Sequence, residues 1–344
     1  MNFLGRNFRV ATFGESHGVA LGAVVDGCPA GLEISAEEIQ NELNRRRPGQ
    51  SKISTPRNEF DSLQILSGIF ENKTTGTPIA IAIFNENQKS KDYEKLKNVF
   101  RPGHADEVFA GKFQHRDHRG GGRASGRETV GRVAAGAIAK KLLKKCGCEI
   151  FGHSIEIGGI RAEKFNKNEI EKNAVRCADK FAAEKMIEKI ETARAEKNSV
   201  GGVCQIEILN CPKFLGAPVF GKLEAELSRA ILSVGAVRGF EFGAGFAAAR
   251  NRGEFQNQIS EGISGGISTG EKITIRAAIK PTPSIAQKQF AKNSAGENLE
   301  IEIHGRHDPI ILPRAVPVLE AMTALVLADF VLAVPDRVDQ IFRR

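Results

Sequence analysis

The chain has 344 residues, enough to bury a sizeable core, and its 41% hydrophobic and 26% charged residues are ordinary for a soluble globular enzyme. A formal net charge of +8 favours acidic partners, but Trp is absent and Tyr93 is the only tyrosine, so stacking platforms for single-stranded nucleic acid are scarce. Six cysteines (Cys28, Cys146, Cys148, Cys177, Cys204, Cys211) show neither metal-ligand spacing nor a disulfide framework, which leads us to expect reduced thiols and no metal.

The N-terminal MNFLGRNFRV has no apolar signal region. Phe8 to Phe13 and Val19 to Val25 read as two strands, with Gly14-Glu15-Ser16-His17-Gly18 as the connection between them. Ser35 with Glu38 forms a capping box, and the helix it opens runs past Ile39 and Leu43 until Pro48, ending in Arg45-Arg46-Arg47. Ile79 to Phe84 is a β-branched run read as a strand; 85–98 is a polar surface excursion. Arg101-Pro102-Gly103-His104-Ala105-Asp106 follows, a turn that gathers an Arg, a His and an Asp.

Arg116 to Arg132 (RDHRGGGRASGRETVGR) is the stretch around which the chain is organised. Gly120, Gly121 and Gly122 let the backbone turn sharply and bring its N–H groups close to a ligand. Ser125 and Glu128 have the spacing of a second capping box, and Val130, Val133, Ala134, Ala137, Ile138 and Leu142 recur at helical spacing toward Lys145. A glycine loop running into a capped helix start is an anion site, and five arginines surround it. The competing reading is a nucleic-acid-binding segment of the Arg-Gly type; it predicts a disordered low-complexity tail, whereas this segment runs directly into an apolar helix.

Glu149 to Ile160 is strand-like, and 166–198 is a charged, peripheral helical excursion. Val203 to Leu209 alternates as a strand and Lys222 to Leu232 as an amphipathic helix. Gly262 to Gly270 is a glycine-rich turn leading to a strand over Ile273 to Ile279. Leu299 to Ile303 is a strand delivering Arg306-His307-Asp308-Pro309. An apolar helix from Pro317 closes the chain; Glu320 and Asp329 inside that run argue for a buried core helix over a membrane span. There is no internal repeat, Walker A, Rossmann fingerprint or metal motif, and one mixed α/β unit is the simplest architecture.

GESHG, RRRPG, FRPGHAD, RDHRGGGRASGRET, GGISTG, KPTPSI and GRHDPIILPRAVPVLEAM, in that order and spacing, resemble the chorismate synthase family from Phe8 to about Leu332. The resemblance implies a single-domain β-α-β sandwich spanning 1–344, a homotetramer and a cytoplasmic enzyme with no nucleic-acid or membrane partner. It implies the last step of the shikimate pathway, in which 5-enolpyruvylshikimate 3-phosphate loses phosphate and a C6 proton. Reduced FMN is the implied cofactor, with NADPH involved only indirectly through an external flavin reductase.

By the same resemblance, Arg46, Lys52, Arg101 and Arg127 would hold the substrate anions, Lys52 standing where relatives often carry Arg. Arg123, Ala124, Ser125, Gly235, Ala236, Gly265, Lys280, Pro281, Thr282, Pro283, Ser284 and Arg306 would contact the flavin. His104 would act on the departing phosphate, His17 would protonate the reduced flavin, and Asp308 would relay a proton. The chain departs from the family pattern in a shortened loop over 253–261, and in Val108 and Phe109 where Thr and Tyr are common.

Overall fold

Residues 2–51, 53, 60–85, 97–302 and 308–334 are described by a computed structural model. The first sheet comprises β1 (Phe3–Leu4), β2 (Arg9–Gly14), β3 (Ala20–Asp26), β4 (Leu63–Ser67) and β7 (Ile79–Phe84), in the order β1-β2-β3-β7-β4. A small hairpin, β5 (Ile69–Phe70) with β6 (Lys73–Thr74), follows β4. Every pairing in the sheet is antiparallel, and alternate residues (Val10, Leu21, Ala23, Val25, Ile79, Ile81 and Ile83) are buried on one face. β2 and β3 pair from Arg9 opposite Asp26 to Gly14 opposite Leu21, so the His17 segment is the loop of a hairpin, as its sequence predicts.

The second sheet comprises β9 (Glu149–Ile157), β10 (Ile160–Arg161), β11 (Gly202–Leu209), β12 (Val237–Phe242) and β15 (Ile273–Ile279), in the order β10-β9-β11-β15-β12 and again antiparallel. A third, small sheet joins β8 (Val99–Phe100) to β16 (Lys288–Asn293) and β17 (Asn298–Glu302), while β13 (Ile263–Ser264) and β14 (Ile267–Ser268) make the Gly262–Gly270 hairpin.

Helices fill the space between the two large sheets. They are α1 (Ala36–Arg46), α3 (Thr129–Lys145), α5 (Leu223–Leu232) and α7 (Leu312–Leu332); α2 (Asp106–Phe113), α4 (Lys180–Ala195) and the single turn α6 (Gly253–Gln256) lie outside that layer. α3 packs on β3 from one side and on α7 from the other, and α7 packs on β9 and β11, giving a sheet–helix–sheet sandwich. A helix enclosed on two sides must be apolar over most of its circumference, and in α3 twelve of seventeen residues are buried. Contact is closest where side chains vanish: a Cβ on Gly136 would stand 2.3 Å from Ala321 Cβ of α7.

The Ser35–Glu38 capping box forms as expected, with Glu38 N–H donating to Ser35 Oγ at 3.2 Å and Ser35 N–H to Glu38 Oε2 at 3.0 Å. The one at Ser125 does not. Residues 122–128 make two 3₁₀ turns, Ser125 Oγ accepts from Arg127 N–H at 3.2 Å, and Glu128 turns away to accept from Thr12 Oγ1 at 2.6 Å and Arg132 Nε at 2.9 Å. The α-helix therefore starts only at Thr129, because tertiary donors outcompete the local cap for the Glu128 carboxylate. At the other end Gly147 N–H reaches Lys144 O at 3.0 Å and Cys148 N–H reaches Leu143 O at 3.1 Å, a Schellman ending at the expected glycine.

α7 begins at Leu312, one turn earlier than expected, with Pro317 inside it. It is long and apolar enough to cross a membrane by length and composition, but most of its surface is buried between the sheets. Pro317 cannot donate to the carbonyl of Pro313, and that carbonyl instead accepts from the buried guanidinium of Arg176. The 166–198 excursion is thus less peripheral than its composition implies. α4 buries Ala182, Ala183, Met186, Ile190 and Ala193, while Arg176 and Glu171 reach the end of α1, where Arg45 Nη2 pairs with Glu171 at 2.7 Å.

Candidate active site

The ends of these elements enclose a cleft of about 520 Å³. Its walls are the end of α1 (Arg46, Pro48), the 3₁₀ turns and first turn of α3 (Arg123 to Thr129, Arg132), and the α5–β12 turn (Ser233 to Ala236). His104, Phe109, Thr282 and Pro283 add a further wall, and Asp308 with the start of α7 (Ile311, Arg314, Ala315, Val318) closes it. Segments more than 250 residues apart in sequence meet here because α1, α3 and α7 lie side by side in the central layer.

One pole is cationic. Arg46 is 1% exposed; its Nη2 donates to Asp61 Oδ2 at 2.6 Å, and Arg127 pairs with the other oxygen of the same carboxylate. Burial pushes the Arg46 guanidinium down to about 10, with Asp61 opposing and the neighbouring Arg314 and Arg127 reinforcing that fall. Arg46 Nε has no hydrogen-bond partner among the described residues. Arg127 Nε donates to Asn85 Oδ1 at 3.1 Å, and Asn85 Nδ2 donates to Glu15 O and Gly18 O, which ties the His17 loop to the arginine cluster. Arg314 Nη1 pairs with Asp308 Oδ2 at 2.6 Å, and its Nε donates to Arg46 O at 3.2 Å. Among the described residues, the three guanidiniums of Arg46, Arg127 and Arg314 gather around the carboxylates of Asp61 and Asp308, a donor-rich arrangement suited to an anion.

The other wall mixes apolar surface with polar edges. Val234, Ala236, Pro283, Ile311, Ala315 and Val318 offer flat apolar contact, and the Thr282 hydroxyl is buried without a hydrogen-bond partner among the described residues. Ala236 holds a left-handed φ of +73°, a strained conformation that functional turns commonly carry. Arg123 is fixed by Gly14 O at 2.9 Å and Thr12 Oγ1 at 2.6 Å, and Arg132 Nη1 donates to Ser233 Oγ at 2.7 Å. An apolar slot rimmed by the unpartnered Thr282 hydroxyl and the Arg123 and Arg132 guanidiniums suits a planar ring system carrying a phosphate, so these residues fit a flavin mononucleotide.

Eleven expected residues line this cleft together: Arg46, His104, Arg123, Ala124, Ser125, Arg127, Gly235, Ala236, Thr282, Pro283 and Asp308. Ser284 stands directly behind, its Oγ 2.6 Å from His104 Nε2. Lys280 is turned aside: its Nζ donates to Gly103 O at 3.0 Å, and burial and Arg238 lower its pKa. Pro281 packs against Gly201. Arg101 is held in a bidentate pair with Asp106, Nε to Oδ2 at 2.8 Å and Nη2 to Oδ1 at 2.9 Å, and is not among the lining residues. Gly265 lies in the β13–β14 turn, also outside the lining. His17 is buried under the glycine loop, its Nδ1 3.1 Å from Ser16 Oγ, and a Cβ on Gly120 would stand 2.2 Å from that nitrogen. Lys52 and Arg306 lie outside the described residues.

Sequence reasoning missed Asp61, Asn85, Ser233 and Arg314 in this site, whereas Arg132 is one of the five arginines expected around the glycine loop. Asp61 and Asn85 sit in plain polar segments with no motif of their own, whereas the Pro-Arg-Ala-Val-Pro run carrying Arg314 was a visible signal.

The family model described as Chorismate synthase matches residues 8–332. A chorismate synthase of Methanosarcina acetivorans is 54% identical over 350 residues, covering 96% of this chain and 96% of the relative. One of Lachnospira eligens is 50% identical over 360 residues, covering 99% and 98%. A crystal structure of a chorismate synthase superposes with a TM-score of 0.76 at 30% identity, covering 98% of this chain and 97% of that one. Sequence match, backbone likeness and the arginine-lined cleft coincide over nearly the whole length, and the chain belongs to the chorismate synthase family, lyases that act on phosphates.

Proposed function

We propose that this lyase converts 5-enolpyruvylshikimate 3-phosphate to chorismate in the 520 Å³ cleft, with reduced FMN beside the substrate. The observation that carries the reading is the convergence, in one cavity, of Arg46 and Arg127 with His104, Asp308 and the apolar slot from Val234 to Ala236. In the net reaction the C–O bond to phosphate and the C6–H bond both break and a second ring double bond forms, with no net oxidation. Reduced FMN, when bound, supplies electron density to the substrate ring as phosphate departs.

The protein's residues do the rest. Arg46 and Arg127 bind and orient anionic groups of the substrate, and their charge stabilises the departing phosphate. His104, held by the Ser284 hydroxyl at 2.6 Å, presents its ring to the cleft and donates a proton to the leaving group. Asp308, set by Arg314, receives a proton on the α7 side. Arg123, Ala124, Ser125, Gly235, Ala236, Thr282 and Pro283 form the flavin's walls, and Ser284 supports them through His104. His17 stabilises the glycine loop side and holds a proton for the flavin edge. Lys52, Arg101, Gly265, Lys280, Pro281 and Arg306 belong to the same binding machinery by family resemblance; Arg101 and Lys280 act there through Asp106 and Gly103.

The whole chain, 1–344, works as one unit in a cytoplasmic homotetramer, with NADPH reaching it only through a separate flavin reductase. Anaerobic mixing with dithionite-reduced FMN and the substrate tests the activity. Appearance of chorismate absorbance together with free phosphate is expected; tight reduced-FMN binding without product would reject it. Steady NADPH-driven turnover by the purified chain alone would reject the need for a reductase.

A further inference from the structure

Arg132, in the first turn of α3, lines the cleft and reaches two of its walls with one guanidinium. Its Nε donates to Glu128 Oε2 at 2.9 Å, and its Nη1 donates to Ser233 Oγ at 2.7 Å and lies 3.7 Å from Met322 Sδ of α7. The Glu128 end is anchored: that carboxylate is buried, and its Oε1 accepts from Thr12 Oγ1 of β2 at 2.6 Å. The Ser233 end is oriented too. Its hydroxyl donates to Ala230 O at 2.6 Å, which turns the oxygen lone pairs toward Arg132.

Each end carries a different wall of the apolar slot. On the Glu128 side stand Arg123 to Ser125, with Arg123 held on Gly14 O and on Thr12, the residue that also holds Glu128. On the Ser233 side the chain runs directly into the Val234–Ala236 turn, closed by Val237 N–H on Val234 O at 3.2 Å and carrying the left-handed φ of Ala236. Ala236 O then accepts from Lys280 N–H at 3.0 Å, so the same turn sets the start of the 280–284 segment. α5 itself packs on α7 and β12, and the Arg132–Ser233 bond ties its end to α3. The N–H groups of a guanidinium lie in one plane at fixed angles, so two acceptors bonded through Nε and Nη1 are kept at a set separation.

We infer that Arg132 is a positioning residue for the phosphate-lyase reaction: a strut that holds the Ser233–Ala236 turn at a fixed distance from the 123–125 wall and so sets the width of the slot. This rests on reading that slot as the flavin site. A cation acting by charge alone would be replaced by lysine without loss. A residue serving only the fold would, when changed, weaken cofactor and substrate together. A strut behaves differently: its loss lets one slot relax, so the planar ring must order its own walls on binding, and a flexible ammonium without the fork does not restore them.

The test is fluorescence titration of FMN with the wild-type protein, Arg132→Lys and Ser233→Ala, beside anaerobic turnover with reduced FMN. The FMN Kd is expected to rise about tenfold or more in Arg132→Lys and about threefold or more in Ser233→Ala, with the substrate KM at saturating FMN staying within about threefold of wild type in both. A smaller rise in FMN Kd in either variant overturns the inference, and so does a larger rise in substrate KM. If Arg132→Lys does not fold, Ser233→Ala, at an exposed position that leaves the guanidinium in place, decides by the same two measurements. Failure of the wild-type protein to bind FMN in either oxidation state would instead count against the reading of the cleft itself.

Discussion

Replacing Glu320 by Gln probes how the central helix layer is held in register behind the active site. Glu320 is 1% exposed at the middle of α7. It accepts from Arg45 Nη1 at 2.6 Å and Nη2 at 2.9 Å, from Lys140 Nζ at 2.5 Å and from Gly152 N–H at 2.8 Å, so one carboxylate joins α1, α3, α7 and β9. Removing one partner of a buried ion pair typically costs about 3–5 kcal/mol. Here the cations keep Glu42 and Glu171 and are partly exposed, so the lower end applies, about 3 kcal/mol at neutral pH. For a chain of this length that lowers the thermal midpoint by about 4 °C.

Burial alone would raise the Glu320 carboxyl, but Lys140 and Arg45 outweigh it and hold the folded value far below the ordinary range. The stabilisation is therefore complete above the unfolded carboxyl value of about 4.3 and is lost as pH falls toward the lower folded value. Denaturant unfolding of wild type and Glu320→Gln at neutral pH and at successively lower pH reads both effects. The difference should be full at neutral pH and shrink once the pH drops below about 4. A neutral-pH difference under about 1 kcal/mol, or one that grows on acidification, would refute this account of the buried network.

Two further outcomes concern the histidines. His104→Ala is expected to lower turnover by about 10²–10⁴-fold with little loss of fold, and Ser284→Ala by less, since the Ser284 hydroxyl is bonded to the ring without replacing it; turnover and circular dichroism check both. His17→Ala should also lower turnover strongly, and near-wild-type rates in both histidine variants would remove their proton-handling roles. Gly120→Ala places a Cβ 2.2 Å from His17 Nδ1 and must displace that ring, so it should approach the His17→Ala phenotype; a fully active Gly120→Ala would show that the position of His17 does not matter.

Much of the site is legible in the amino-acid sequence, because its chemistry is written in compact runs. His104, Arg123 to Arg127 and Thr282–Pro283 stand in motifs whose order matches the family, Gly235–Ala236 follow from the resemblance alone, and the cleft gathers them all. Arg101 is equally conspicuous, yet it is engaged with Asp106 five residues on, a local partner that residue type alone could not reveal. The Ser125–Glu128 spacing likewise matches a cap that does not form, since Thr12 and Arg132 claim the glutamate.

Local patterns set what is local: the Ser35 cap, the Gly147 ending, the β2–β3 hairpin around His17, and α7 as a buried apolar helix. Those depend on hydrogen bonds and apolar periodicity within a few residues, which the order of side chains specifies directly. Tertiary structure alone decided which charges meet. Asp61 reaches Arg127 across 66 positions, Arg45 reaches Glu320 across 275, and Arg176 takes the carbonyl that Pro317 leaves open. An ionic or polar partner is chosen by proximity and burial after the helices have packed between the sheets, and a linear sequence carries no record of that distance.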